Sequence, residues 1–83
     1  MKVVVYSLPT AQCVRCRGSE IALRRAGIEY EKIMVNESPD ALAYVKSLGY
    51  ESAPVIVVLD DEGNQLDHFP FSIEKINALK VAA

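Results

Sequence analysis

The sequence predicts an α/β fold, a four-stranded mixed sheet with three helices in the order βαβ-α-ββ-α. Three observations lead there. Lys2–Tyr6 and Val55–Leu59 are short apolar runs rich in β-branched residues. Segments of helical apolar spacing separate the candidate strands, and Gly, Pro, Asn and Asp clusters mark the joints.

Each element follows from its residues. Lys2–Tyr6 runs unbroken toward Pro9 and reads as a central strand buried on both faces. From Val14 to Ala26, the apolar positions Val14, Ile21, Ala22, Leu23 and Ala26 fall roughly at helical spacing. Arg24 and Arg25 close this helix, with Gly27 as its C-terminal cap. Tyr30–Val35 alternates as a second strand, and a right-handed crossover makes it parallel to the first. Ser38 or Asn36 is the candidate N-cap of the next helix, with Pro39 in its first turn. Ala41, Leu42, Val45 and Leu48 form its apolar stripe, and Gly49 ends it. Val55–Leu59 is the third strand, Asp60–Asn64 is turn chemistry, and Gln65–Phe69 returns antiparallel. Ser72 caps a last amphipathic helix whose apolar positions are Ile73, Ile76 and Leu79. Helices then cover both faces of the sheet.

The chain of 83 residues is read as one domain, 1–83, large enough for a single modest core. Half the residues are apolar and a quarter charged, which excludes disorder and a disulfide-rich scaffold. The net charge of −2 comes from interspersed acids and bases, so nucleic acid is not an expected partner. The apolar start Val3–Tyr6 is too short for a signal peptide, and no stretch approaches a membrane span. A cytoplasmic monomer is therefore expected. In that compartment thiols are kept reduced and a permanent structural disulfide is rare.

The chain's two cysteines, Cys13 and Cys16, then need another explanation. They stand in "TAQCVRCR", between the first strand and the first helix. Three-residue spacing brings both sulfurs to one helix face. Free N–H groups and the positive end of the helix dipole favour a thiolate at Cys13, and Arg15 and Arg17 add positive potential. Cys13 is thus the expected nucleophile. Cys16, deeper and in a more apolar setting, attacks once Cys13 is held in a mixed disulfide. A zinc site needs four ligands, and beyond the cysteines there is only His68, so no metal is assigned. Two buried, inert cysteines are the bland alternative. His68, near the end of an edge strand, reads as a solvated side chain, not a base, and Met34 as core filler. Tyr6 is placed to lie beneath the cysteine loop.

The second informative stretch is Ser52-Ala53-Pro54-Val55. Proline before an apolar strand donates no ladder hydrogen bond, which suits plain strand initiation. The sharper expectation is a cis Ala53–Pro54 bond facing the cysteines, with the Ala53 backbone free to pair with an extended substrate segment.

Taken together, the early Cys-x-x-Cys, the Ala-Pro-Val before a strand and the element order resemble the glutaredoxin branch of the thioredoxin fold. The resemblance extends over essentially the whole chain to NrdH-redoxins: "CVRC" is similar to their Cys-Val-x-Cys, "ALRRAGIEYEKIMV" to their helix-to-strand segment, and "YVKSLGYESAPVIVV" is the most specific match. It implies a thioredoxin/glutaredoxin-like fold, a cis Pro54 and no cofactor. It also implies that electrons pass to ribonucleotide reductase, for deoxyribonucleotide synthesis, from thioredoxin reductase instead of glutathione. Gln12, Val14, Arg15, Ala53, Pro54, Phe69 and Phe71 are the expected partner-binding residues around Cys13 and Cys16. The chain departs from the family in the loop Ser7–Gln12, which is slightly longer and has Leu8 where a Lys is common. It departs again at "HFPFSIEKI", which replaces Trp-Ser-Gly-Phe-x-Pro-Asp. Glutathione-using glutaredoxins have a Gly-Gly-x-x-Asp pattern there. Here Pro70 lacks the donor N–H, paired glycines are missing, and Leu8 offers no cation. Phe69 and Phe71 are expected to form an apolar rim for a protein partner, with core packing of one of the two as the plain alternative. A glutathione-dependent glutaredoxin and a non-catalytic redox-sensing adapter of the same fold are the alternative functions.

Overall fold

A computed structural model describes residues 1–9 and 11–82; Thr10, in the loop before the cysteines, lies outside the described residues. The elements are β1 (Lys2–Ser7), α1 (Val14–Arg25), β2 (Glu31–Met34), α2 (Pro39–Ser47), β3 (Val55–Leu59), β4 (Gln65–Pro70) and α3 (Ile73–Ala82). This is the predicted order, with β2 trimmed by one residue at each end. The sheet runs β2-β1-β3-β4. β1 is parallel to β2 and antiparallel to β3, and β3 is antiparallel to β4.

Helix ends follow from local chemistry. Ser38 Oγ accepts the Ala41 N–H at 3.2 Å, so Ser38, not Asn36, is the N-cap of α2. Ser72 Oγ accepts the Lys75 N–H at the start of α3. α1 and α2 both end on a glycine at positive φ, Gly27 at 73° and Gly49 at 94°. Beyond each, the next residue's N–H returns to the helix, Ile28 to Leu23 O and Tyr50 to Val45 O. That left-handed step closes the final turn and turns the chain back toward the sheet.

Period-2 alternation along the strands sorts the core into two layers. Val3, Val5, Ile56, Val58 and Phe69 face α1 and α3, where they meet Leu23 and Ile76. Val55 and Val57 face α2, where they meet Ala41 and Val45.

The expected apolar stripe of α1 is corrected. Its buried residues are Cys16, Ser19, Glu20 and Leu23, whereas Val14 is 86% exposed and Ile21 37% exposed. Glu20 can lie under the surface because its carboxylate is partnered. It accepts from Tyr30 Oη at 3.0 Å and stands 3.3 Å from Lys32 Nζ and 3.9 Å from Arg24.

Candidate active site

Cys13 is the N-cap of α1, in extended backbone conformation, and its sulfur accepts the Cys16 N–H at 3.1 Å. A side chain that satisfies an orphan N–H at a helix start is held by the helix itself, which fixes where this sulfur points. The two cysteines form a disulfide across a Cα–Cα distance of 5.3 Å. They are not equivalent: Cys13 is partly exposed, and Cys16 is fully buried.

On the other side of the cysteines stands the start of β3. The Ala53–Pro54 peptide is cis, and Cys13 Sγ lies 3.9 Å from the Ala53 carbonyl oxygen. Pro54 is buried behind it. An open groove beside this pair is lined by Arg15, Ser52, Ala53, Pro54, Pro70 and Phe71. Four of the expected binding residues, Arg15, Ala53, Pro54 and Phe71, therefore converge. Gln12 and Val14 are exposed on either side of Cys13.

Phe69 does not join them. It is 3% exposed and packs in the core with Ile56 and Ile76, because it points to the α1/α3 face of β4. The rim is Phe71 alone, just beyond the strand end. Its ring lies against α1 at Gly18, where a Cβ would stand 3.4 Å from Cζ. Gly18 was not singled out from sequence, because a mid-helix glycine has no local signal for the ring that crosses it.

Leu8 lies on the opposite face, in a small apolar cavity of about 120 Å³ that Tyr6, Val45, Tyr50, Ala53 and Val55 also line. Tyr6 does reach the underside of the Ala53 loop from there. Burial raises its hydroxyl above the ordinary tyrosine range, and Tyr44 and Glu31 add to the shift. It stays neutral at physiological pH. His68 departs from the solvated reading: Tyr50 Oη and His68 Nδ1 share a hydrogen bond of 2.8 Å, and the rings meet edge-on. That contact ties β4 to the segment leading to Pro54. It leaves His68 engaged away from the cysteines. Among the described residues, no cluster of three or more His, Cys, Asp or Glu side chains is placed to hold a metal ion.

A helix-capping, partly exposed sulfur, a buried second sulfur one turn on, and a cis-proline loop against them form a dithiol–disulfide centre. Comparison with known proteins agrees with that chemistry. The glutaredoxin family model matches residues 3–63. The chain is 27% identical over 60 residues to the glutaredoxin-like protein NrdH of Escherichia coli (strain K12), covering 72% of each chain. It is 28% identical, with the same coverage, to NrdH of Salmonella typhimurium. Among solved structures it is similar to E. coli NrdH-redoxin, a glutaredoxin-like protein described as having a thioredoxin-like activity profile. That match has a TM-score of 0.81 and 25% identity, over 95% of both chains. Thioredoxin 1 of Thermosipho africanus is more distant in shape, with a TM-score of 0.66 and 25% identity over 99% of this chain and 93% of its own. The chain belongs to the glutaredoxin family, as an NrdH-like thiol–disulfide oxidoreductase of thioredoxin fold.

Proposed function

We propose that the chain carries two electrons from thioredoxin reductase to protein disulfides, with ribonucleotide reductase as its main target. The Cys13 thiolate attacks a sulfur of the target disulfide, forming a mixed disulfide and releasing one target thiolate. The Cys16 thiolate then attacks the Cys13 sulfur, closing the Cys13–Cys16 bond and releasing the second target thiolate. NADPH, through the reductase, returns both electrons. The observation that supports this order is the asymmetry of the pair: Cys13 caps α1 and is open to a partner, while Cys16 is fully buried behind it.

Geometry beside the cysteines supports the protein donor over glutathione. The groove wall after β4 is Pro70 and Phe71, and Leu8 is turned into the apolar cavity on the other face. Pro70 has no N–H to donate and Leu8 carries no charge, whereas a tripeptide carboxylate needs backbone donors and a cation. A partly exposed aromatic beside an extended loop suits a protein surface. Residues 1–83 are taken as one glutaredoxin-like unit acting as a cytoplasmic monomer. Among the described residues, no helix is long and apolar enough to cross a membrane.

The test is turnover with thioredoxin reductase and NADPH against turnover with glutathione, glutathione reductase and NADPH, on a protein disulfide. The first should be efficient and the second slow, and Phe71→Ala should weaken the first by about tenfold, the loss of one interface anchor. Robust turnover with glutathione alone would assign the chain to the glutathione-dependent glutaredoxins. No turnover with either donor would make it a redox-sensing adapter.

A further inference from the structure

The buried face of α1 holds a polar group that the reaction above does not use. Ser19 is fully buried, one turn beyond Cys16 on the same helix. Its hydroxyl has no hydrogen-bond partner in the disulfide form. Most buried hydroxyls are partnered, and an unpartnered one disfavours the state that contains it. A partner that exists only in the other redox state accounts for such an orphan.

Cys16 is that partner by position. Residues three apart share a helix face, and the Cα–Cβ bond of residue 19 tilts toward the helix N-terminus, over the turn that holds Cys16. In the disulfide, the Cys16 sulfur is tied toward Cys13 and is only a weak acceptor. Reduction frees its side chain and turns it into a thiol or a thiolate. The thiolate is a charged acceptor, much stronger than a disulfide sulfur.

We propose that Ser19 is a positioning residue for the redox couple: its O–H donates to the Cys16 sulfur in the dithiol state, favouring that state over the disulfide and orienting the Cys16 thiolate for its attack on Cys13. Ser19 keeps its own proton throughout. The Cys16 thiol loses its proton to solvent, the new Cys16–Cys13 bond forms as the Cys13–target bond breaks, and the departing target thiolate takes up a proton. The kinetic half rests on Cys16 being the resolving thiol. The equilibrium half needs only the two-cysteine couple, so a reversal of cysteine roles in trapping experiments leaves it separately testable.

The experiment is redox equilibration of the protein with dithiothreitol buffers, comparing the parent with Ser19→Ala and Ser19→Thr. Ser19→Ala should shift the equilibrium about tenfold toward the disulfide, equivalent to about 30 mV for a two-electron couple. Ser19→Thr keeps the hydroxyl and should stay within about twofold of the parent. Thermal unfolding of both redox forms is the second measurement. Ser19→Ala should raise the midpoint of the oxidised protein, which loses an unpartnered group, and lower that of the reduced protein, which loses a hydrogen bond. An unchanged equilibrium in Ser19→Ala, or equal changes in stability in the two redox forms, overturns the proposal.

Discussion

Cys13 caps the helix that holds Cys16, and the two differ in exposure and in hydrogen bonding. Cys13 is half-open and accepts a helix N–H, and Cys16 has no solvent contact. In the proposed mechanism the exposed sulfur meets the partner's disulfide and the buried one acts second. Cys13→Ser should therefore reduce disulfide-exchange activity to background. Cys16→Ser should retain the first step and accumulate mixed disulfides, visible as covalent adducts by non-reducing electrophoresis. Equal loss of trapping in both variants would remove the assignment of roles. Spacing and the strand-to-helix position made both residues legible in advance, because a helix N-terminus acts on a sulfur locally. Which of the two phenylalanines is buried was not legible. Phe69 and its neighbour-but-one Phe71 have the same chemistry, and what separates them is that Phe69 lies within β4, paired with Ile56 in the sheet, whereas the strand ends at Pro70 and leaves Phe71 at the groove.

At the scale of elements, the capped helix ends and the β3–β4 turn are built from short-range hydrogen bonds and follow their sequence cues closely. In that turn Asp60 Oδ1 accepts the N–H groups of Glu62 and Asn64 at 2.9 and 2.8 Å. Asp60 Oδ2 accepts from the Asn64 side chain, and Gly63 takes a positive φ of 87°. The Asn64 backbone donor is the main reason the Asp60 carboxyl lies below its ordinary value, with the Asn64 side chain and the Glu62 and Gly63 N–H groups adding to it. A carboxylate depressed in the folded state contributes stability above its unfolded value, about 3.9, and loses it as pH falls through the folded value. Asp60→Ala should thus lower the thermal midpoint at pH 7, and the gap between variant and parent should be smaller in acid, once the pH has fallen below the folded carboxyl's own value. A gap of the same size at pH 7 and in acid would show that the turn does not use the charge. The α1 stripe was less legible, since Ser19 and Glu20 carry polar labels and are buried by contacts from Tyr30, Lys32 and the sheet that local periodicity does not encode.

Over the whole molecule the net charge is only −2, and the charges closest in sequence to the cysteines are Arg15 and Arg17. α1 exposes Arg15, Arg17, Arg24 and Arg25, while its one acid, Glu20, is buried. Asp60, Asp61 and Glu62 sit beyond the end of β3 that pairs with Lys2, the end of the sheet remote from Cys13. Arg15 and Arg17, both exposed and within about one turn of Cys13, thus supply local positive potential beside it in a chain of negative net charge. The reduced protein should react faster with a dianionic aromatic disulfide, 5,5′-dithiobis(2-nitrobenzoate), than with neutral 4,4′-dithiodipyridine after correction for each reagent's rate with free cysteine. The excess should fall severalfold between about 0.01 M and 1 M salt, as the screening length drops from about 30 Å to about 3 Å. A salt-independent ratio would show that the arginines do not steer.

Sequence by itself determined the element order, the parallel β1–β2 unit, the capped helix ends and the cysteine pair brought together at the start of α1. Each depends on neighbours within a few positions or on one chirality rule, so the information is local. Tertiary structure alone decided how those pieces meet. It set β1 between β2 and β3, brought Arg15 and Phe71 to the same groove as Pro54, placed Phe69 in the core, and engaged His68 with Tyr50. It also left the Ser19 hydroxyl buried one turn from Cys16. These are contacts between residues far apart in the chain, fixed by strand register and by which helix face the sheet covers. A one-residue slip in register would exchange the faces of β4 and with them the roles of its side chains.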